Sequence, residues 1–320
     1  DITYPTRFPM LIILAKLKRF IMNVIHPNLF ILGAAKSGTT TLADALRQHS
    51  SIFLPLIKEP TFFSSDFSYN QGLDWYLSKS YTNSESYLYR CDASPSYLYF
   101  SKKVASRIKS DISNKGLKFI VIFRNPIDRA YSHYWHNFNP GENEYLSFED
   151  ALLAEKERLV TNDVDLNNTG RIRHAYFNAG LYANQLQFFF QHFSKESFLF
   201  LQFEDIFQKN FSVTMRIVQE FLQTPYEEIE YIHSNISHKF KSRTYNKLLR
   251  QKSFPKTILK KTIAPTQRTK IKQALLKANL VPRRYTPMNF ATRNLLLKKF
   301  RPSIKKLESL IDKDFSAWLK

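Results

Sequence analysis

The sequence predicts an α/β fold in which a mainly parallel central sheet lies between two layers of helices. Apolar strand-like runs alternate with helical stretches along the chain, as they do in parallel sheets. The run at 117–123 is apolar almost throughout, which is typical of a strand buried on both faces. The run at 29–32 ends at Gly33 and leads through a short loop into a helix, the layout of an anion-binding loop.

The other elements are predicted from the spacing of apolar residues, which differs between strands and helices. Further strands are predicted at 51–55, 87–92 and 198–203. Helices are predicted from 39 onwards, at 74–77, 104–108, after Pro126, and at 149–159, 182–193, 213–222, 265–278 and 301–319. Ligands of such folds bind at the carboxyl ends of strands. Loops that follow predicted strands are therefore expected to converge on one site, at Gly33, Glu59, Asp92, Arg124 and Glu204.

Length and composition predict one domain with a short extension. The 320 residues are 43% hydrophobic, enough for a large core, and residues 28–320 are expected to form a single domain. Residues 1–27 are expected to be an amphipathic helical extension packed on that domain, with a membrane-surface anchor as the alternative. Their charged residues exclude a transmembrane span, and no signal-peptide pattern is present.

Charge is concentrated at the end of the chain. The formal net charge is +20; residues 239–320 carry 23 basic and 3 acidic side chains, whereas residues 1–238 carry 24 of each. Most of these basic side chains are expected to form a solvated helical surface. The functional alternatives are binding of an anionic acceptor, of an anionic membrane surface or of nucleic acid. The aromatic residues of 239–320 are too sparse for base stacking, which disfavours nucleic acid. The single cysteine, Cys91, excludes an intrachain disulfide and favours a cytoplasmic location, with peripheral membrane contact as a variant.

Residues 33–41 carry the two glycines of the nucleotide-binding pattern G-x-x-x-x-G-K-[ST], but the lysine is displaced. Lys36 lies inside the loop, and Thr39 occupies the usual lysine position. No strong candidate carboxylate for holding Mg²⁺ is found, and the eight histidines show no zinc-ligand spacing, so no metal is predicted. A sulfuryl group carries less charge than a phosphoryl group, so a lysine and hydroxyl donors could suffice to stabilise its transfer.

The loop sequence Ala35-Lys-Ser-Gly-Thr-Thr-Thr41 resembles the 5′-phosphosulfate loop of sulfotransferases that use 3′-phosphoadenosine 5′-phosphosulfate (PAPS). Arg124-Asn-Pro is followed two helical turns later by Ser132, similar to that family's 3′-phosphate motif. The resemblance runs from about Leu29 to Leu319 and is strongest to bacterial and heparan-type members. It implies PAPS as donor, with the product 3′-phosphoadenosine 5′-phosphate (PAP). It also implies cofactor contacts from Ala35, Lys36, Ser37, Gly38, Thr39, Thr40, Thr41, Arg124 and Ser132, and from Tyr182 near the adenine.

Two further stretches complete the predicted site. Residues 58–64 are similar to the Lys-Glu-x-His-Phe-Phe-Asp segment of heparan-type members, in which the glutamate is the catalytic base. Glu59 matches that glutamate, while Thr61 and Ser64 replace the histidine and the aspartate. The alternative for Glu59 is a surface ion pair. The Arg-Lys-Gly loop of cytosolic members is absent, and the candidates for its 3′-phosphate contact are Lys239, Lys241 and Arg243.

The predicted function is transfer of a sulfuryl group from PAPS to a hydroxyl or amine acceptor. Lys36 would stabilise charge on the bridging oxygen, and Glu59 would take the acceptor proton. The acceptor is expected to be a carbohydrate, a lipid, or a small alcohol or phenol, and its candidate contacts are Lys58, Tyr97, His133 and His136. The alternatives are a kinase-like transferase and a non-catalytic protein that binds anionic polymers on the same fold.

Overall fold

A computed structural model of the chain describes residues 25–57, 59–112, 116–138, 144–161, 172–231, 238–240, 280–282 and 286–320. Its parallel strands are β1 (Leu29–Gly33), β2 (Ile52–Phe53), β3 (Tyr89–Ala93), β4 (Lys118–Phe123) and β5 (Phe198–Gln202). They form one sheet in the order β2-β3-β1-β4-β5, and every pairing in it is parallel. This confirms the mainly parallel sheet predicted from the sequence.

Helices separate the strands along the chain. Those before β5 are α1 (Thr39–Leu46), α2 (Asp66–Tyr69), α3 (Leu73–Ser80), α4 (Ser96–Tyr99), α5 (Ser101–Asp111), α6 (Pro126–Asn137), α7 (Phe148–Thr161) and α8 (Tyr182–Phe190). After β5 come α9 (Phe211–Leu222) and α10 (Phe290–Ile311). Short 3₁₀ turns lie at Asn178–Gly180, Lys195–Ser197 and Ser316–Leu319, and a π turn lies at Asp205–Lys209.

Both faces of the sheet are buried, because successive side chains of a strand point to opposite faces. On one face, Leu29 and Ile31 pack in a cluster with Leu42 of α1 and Val218 of α9. On the other face, Phe30 stacks on Phe119 with 5.6 Å between ring centroids. Phe119 also contacts the rings of two residues from the end of α8, namely Phe189 and Phe193. These contacts explain why the strands are apolar at consecutive positions.

The chain divides into two compact units. The first consists of Asp1–Phe123, Leu166–Asn168 and Asn184–Ile232 and contains the parallel sheet. The second consists of Arg124–Asp165, Thr169–Ala183 and His233–Lys320. The expectation of a single domain over 28–320 stays a prediction. Among the described residues, no helix is long and apolar enough to cross a membrane.

The end of the chain differs from the prediction. Helix α10 begins at Phe290 rather than near Arg301, and it ends at Ile311. Asn289 caps it by accepting a hydrogen bond from the backbone N–H of Ala291 at 2.8 Å. Lys239, expected in a basic loop, lies in the strand β6 (His238–Phe240), which pairs antiparallel with β7 (Leu280–Pro282). The helix predicted at 265–278 and most of the N-terminal extension lie outside the described residues.

Candidate functional site

The loop after β1 has a backbone that few residue types adopt. Gly33 and Gly38 have φ angles of +146° and +84°, and Lys36 between them has φ +72°. The backbone N–H of Ala34 donates to the carbonyl oxygen of Ile122 at 2.8 Å, which ties the loop to the end of β4. A Cβ on Gly33 would lie 2.9 Å from the carbonyl oxygen of Pro95 and 2.9 Å from Cβ of Leu98. The glycine is therefore required for both conformation and space.

Hydrogen-bond donors of the backbone and of Ser37 lie where this loop enters α1. The helix has Gly38 as its N-cap, with no side-chain cap from the described residues and no acidic residue in the first turn. The first N–H groups of a helix have no intrahelical acceptor and attract an anion. The Ser37 side chain is fully buried, and its Oγ has no hydrogen-bond partner among the described residues. A buried hydroxyl without a partner is costly, and a polar ligand at this place would remove that cost.

Glu59 lies near the anion-binding loop at 33–41, within the first unit. A pocket beside α1 is lined by Thr39, Thr40 and Glu59 together with apolar residues that include Leu54 and Ile57. One wall is fixed by Arg47, which donates to the carbonyl oxygens of Leu54 and Pro55 at 3.0 and 3.2 Å. Glu59 itself is exposed at this pocket.

In the second unit, the structure brings two predicted cofactor residues together. Tyr182 is buried, and its hydroxyl donates to the backbone carbonyl oxygen of Arg124 at 2.9 Å. The side chain of Asn125 caps α6 by accepting from the N–H of Ile127 at 3.0 Å, and Pro126 occupies the first helical turn. Arg124 and Ser132 are both partly exposed.

Arg129 lies in the sequence between Arg124 and Ser132, the two predicted 3′-phosphate ligands, and no role was predicted for it. It is fully buried and donates through Nη2 to the carbonyl oxygens of Ala175 and Tyr176. Its Nε and Nη1 have no hydrogen-bond partner among the described residues. Burial lowers its pKa, while the neighbouring Tyr182 and Glu155 oppose that change. Arg129 thus holds the segment that leads into Tyr182.

The predicted acceptor contacts have different surroundings. Tyr97 is fully buried, and His133 is nearly buried with its ring 5.2 Å from that of Tyr176. Their placement favours packing roles over direct contact with an acceptor. His136 is exposed in the last turn of α6. The side chains of Lys58, Lys239, Lys241 and Arg243 are not described, so their assigned roles stay predictions.

Comparison with known proteins identifies the family. The family model described as the sulfotransferase domain matches residues 26–271, which is most of the chain. The chain belongs to the sulfotransferase family. A solved sulfotransferase from Alicyclobacillus acidocaldarius matches it with a TM-score of 0.66 and 25% identity, covering 93% of this chain and 100% of that one. The resemblance proposed from the loop sequence is thereby confirmed, as is the fold class.

Curated relatives of this sulfotransferase include heparan-sulfate enzymes. A bifunctional heparan sulfate N-deacetylase/N-sulfotransferase 1 of Caenorhabditis briggsae is 28% identical over 190 residues, which are 56% of this chain and 21% of that protein. The mouse heparan sulfate glucosamine 3-O-sulfotransferase 3A1 is 29% identical over 196 residues, 61% of this chain and 45% of that protein. The chain therefore matches less than half the length of either relative.

Proposed function

We propose that this sulfotransferase transfers a sulfuryl group from PAPS to a hydroxyl or amine acceptor. The observation that carries the proposal is the buried Ser37 hydroxyl, which has no partner in the described part of the chain, at a glycine-capped helix start. A 5′-phosphosulfate would supply acceptors for that hydroxyl and for the N–H groups of the first helical turn. Membership of the sulfotransferase family supports the same reading.

The proposed cofactor contacts are those that the family resemblance implies. The 5′ end of PAPS would meet the backbone and hydroxyl donors of Ala35, Lys36, Ser37, Gly38, Thr39, Thr40 and Thr41. Arg124 and Ser132 would bind the 3′-phosphate, and Tyr182 would lie near the adenine. The Tyr182 bond to the Arg124 carbonyl supports this grouping. PAPS supplies the activated sulfuryl group, and no metal contact is part of the proposal.

Two side chains are proposed to act on the reacting atoms. Lys36, held at φ +72° within the loop, would stabilise negative charge on the bridging oxygen of the leaving group. Glu59, at the pocket that Thr39 and Thr40 also line, would take the proton from the acceptor. An acceptor that fills this pocket would cover Glu59 and exclude water from it.

The acceptor and the location of the protein are further proposals. The relatives named for heparan sulfate support a carbohydrate hydroxyl or amine as acceptor. The apolar wall of the pocket also fits a lipid or small alcohol or phenol. A cytoplasmic location and contact with an anionic membrane surface stay predictions. One relative, kil1 of Dictyostelium discoideum, is named a membrane-associated sulfotransferase.

Binding of PAP tests the cofactor assignment. At a PAP concentration about 100-fold above Kd, a ligand that binds only the folded state adds about 2.7 kcal/mol of stability, so the melting temperature should rise by a few degrees. Arg124→Ala should weaken PAP binding at least about tenfold, because it removes a charged phosphate ligand. Arg301→Ala, at an exposed arginine of α10, is the matched control and should bind normally. Stabilisation by ATP with Mg²⁺ and none by PAP would favour a kinase-like transferase.

Transfer of labelled sulfate from PAPS tests the reaction. The acceptor screen uses an unsulfated heparan backbone with free amines, a long-chain alcohol and 4-nitrophenol. Glu59→Gln should retain PAP binding and lose about 10²–10⁴-fold in turnover, since it removes a general base. Undiminished turnover would exclude Glu59 as the base. Absence of transfer by the wild type to any acceptor would favour the non-catalytic alternative.

A further inference from the structure

A buried carboxylate lies behind the loop that carries Glu59. Asp92 in β3 is fully buried and accepts three hydroxyl hydrogen bonds. Ser94 donates to its Oδ1 at 2.6 Å, while Tyr76 and Tyr97 donate to its Oδ2 at 2.5 and 2.7 Å. Burial raises the pKa of Asp92, and the three hydroxyl donors oppose that rise.

Two of these hydroxyls also hold the backbone just after Glu59. The N–H of Thr61 donates to Ser94 Oγ at 3.0 Å, and the N–H of Phe63 donates to the Tyr97 hydroxyl at 3.3 Å. Because the loop N–H groups donate to these two hydroxyl oxygens, each hydroxyl is free to donate its own hydrogen to Asp92. Asp92 therefore orients both hydroxyls that hold the loop.

The loop needs this support because its backbone is strained. Glu59 and Thr61 have φ angles of +55° and +53°, which are uncommon for residues other than glycine and most unusual for a β-branched threonine. Such conformations persist only where surrounding contacts determine them. The Phe62 ring adds a further contact by stacking on Tyr76 at 4.3 Å between centroids.

We propose that Asp92 is a positioning residue for Glu59, acting through Ser94 and Tyr97 on the strained turn. The inference rests on the proposed function, in which Glu59 takes the acceptor proton. Asp92 touches neither cofactor nor acceptor in this scheme. Its effect is to fix the direction in which the turn presents Glu59 to the pocket.

Matched variants of the full chain separate positioning from general stability. Ser94→Ala and Tyr97→Phe each remove one connection to the loop. Tyr81→Phe is the control, because Tyr81 is also a buried phenol of this cluster but contacts the Tyr76 hydroxyl and the Cys91 carbonyl oxygen. Asp92→Asn tests the carboxylate itself, and the hydroxyl variants keep the test valid if that protein does not fold.

Hydrogen exchange and steady-state kinetics are the two measurements. Exchange of the amides of Thr61 and Phe63 should rise about tenfold in Tyr97→Phe and Ser94→Ala, and stay unchanged in Tyr81→Phe. With the acceptor that gives transfer in the screen, kcat should fall about 10- to 100-fold in the two loop variants, because misplacement of a reacting group by about 1 Å has that effect. The KM for PAPS and the affinity for PAP should be unchanged.

The outcomes distinguish this inference from the proposed function. Transfer by the wild type with undiminished kcat in Ser94→Ala and Tyr97→Phe would overturn the positioning role alone. Equal losses of kcat in Tyr97→Phe and Tyr81→Phe would also overturn it, since both would then act through stability. Absence of transfer by the wild type would overturn the proposed function and, with it, any role in positioning a base.

Discussion

At the scale of single residues, Ser37 links the stability of the chain to its ligand. Its Oγ is buried without a partner among the described residues, so the hydroxyl is a cost of about 1–3 kcal/mol when no anion is bound. Ser37→Ala should therefore leave the free energy of unfolding unchanged or raise it, measured by urea denaturation without ligand. The same variant should weaken PAP binding about tenfold, because one hydrogen bond to the 5′-phosphate is lost.

A matched serine provides the control for that prediction. Ser84 is equally buried, but its Oγ donates to the carbonyl oxygen of Tyr81 at 2.6 Å. Ser84→Ala should cost about 1 kcal/mol in stability and leave PAP binding intact. A loss of stability in Ser37→Ala as large as that in Ser84→Ala would mean that the loop hydroxyl is satisfied within the protein.

The sequence supplied candidates for the charged members of the site but not their supporting contacts. Lys36, Glu59 and Arg124 were predicted because they match motifs of the family and because their chemistry suits an anion or a proton, and their roles stay predictions. Asp92 was predicted only to begin one of the loops that converge on the site, and no role was given to its side chain, since its hydrogen bonds include hydroxyls that arrive from other segments. Tyr97 was predicted to contact the acceptor because a tyrosine carries a polar hydroxyl. The structure buries it fully, and the sequence could not show this because tertiary packing determines which tyrosines are buried.

At the scale of elements, the start of α1 depends on the absence of a side chain at Gly38. This residue has φ +84°, and a Cβ there would overlap the ring of Phe207. Gly38→Ala should lower the free energy of unfolding by about 1–3 kcal/mol through strain and overpacking, and should abolish PAP binding at concentrations that saturate the wild type. Thermal denaturation with and without PAP measures both effects.

Gly72 separates backbone strain from the clash. It has a similar φ of +88°, but no described atom lies within 4 Å of the Cβ position. Gly72→Ala should therefore show a smaller loss of stability and normal PAP binding. If Gly38→Ala and Gly72→Ala behaved alike, contact with Phe207 would not be what requires the glycine.

The start of the last helix, α10, was predicted about eleven residues too late. Leu296, Phe300, Ile304 and Leu307 are buried at helical spacing, so the periodic signal begins well before Arg301. Pro302 lies inside the helix, where a proline removes one backbone donor and usually ends or starts a helix. Packing of this apolar face carries the helix through Pro302, so its start lies about three turns before the predicted one.

At the scale of the whole molecule, buried carboxylates should make the protein sensitive to acid. Glu144 is fully buried in the second unit and accepts hydrogen bonds from Arg158 and from the Tyr176 hydroxyl. Burial alone would raise its pKa, but these donors and the N–H of Leu146 lower the pKa from 4.5 to about 2. A carboxyl with a lowered pKa stabilises the fold above its ordinary pKa, and this contribution is lost as the pH falls towards 2.

The free energy of unfolding should therefore fall by about 3 kcal/mol between pH 5 and pH 2 through this group. Glu144→Gln should be less stable than the wild type at pH 7 and should show a flatter dependence across that range. Glu157→Gln, at an exposed position of α7, should retain the wild-type profile. Parallel profiles for the wild type and Glu144→Gln, from urea denaturation at each pH, would contradict the assignment.

The parallel sheet was predictable as a whole because each strand is short, apolar and followed by a turn signal. Continuous burial of β4, from Phe119 to Phe123, gives a pattern that few other structures produce. The division into two units was not predictable, since no linker-like composition marks the boundary at Arg124. The chain enters the second unit three times, so that unit assembles from segments that are distant in sequence.

The contact expected between a side chain at Gly38 and Phe207 also limits how the anion-binding loop can be reused in protein design. Residues 33–41 form a compact segment that a designer would graft onto another strand and helix. Part of the need for glycine comes from outside the segment, however, because the Phe207 ring fills the space at Gly38 and the Pro95 carbonyl oxygen closes the space at Gly33. A transplanted loop would be under the same steric demand for glycine only in a scaffold that supplies equivalents of both residues.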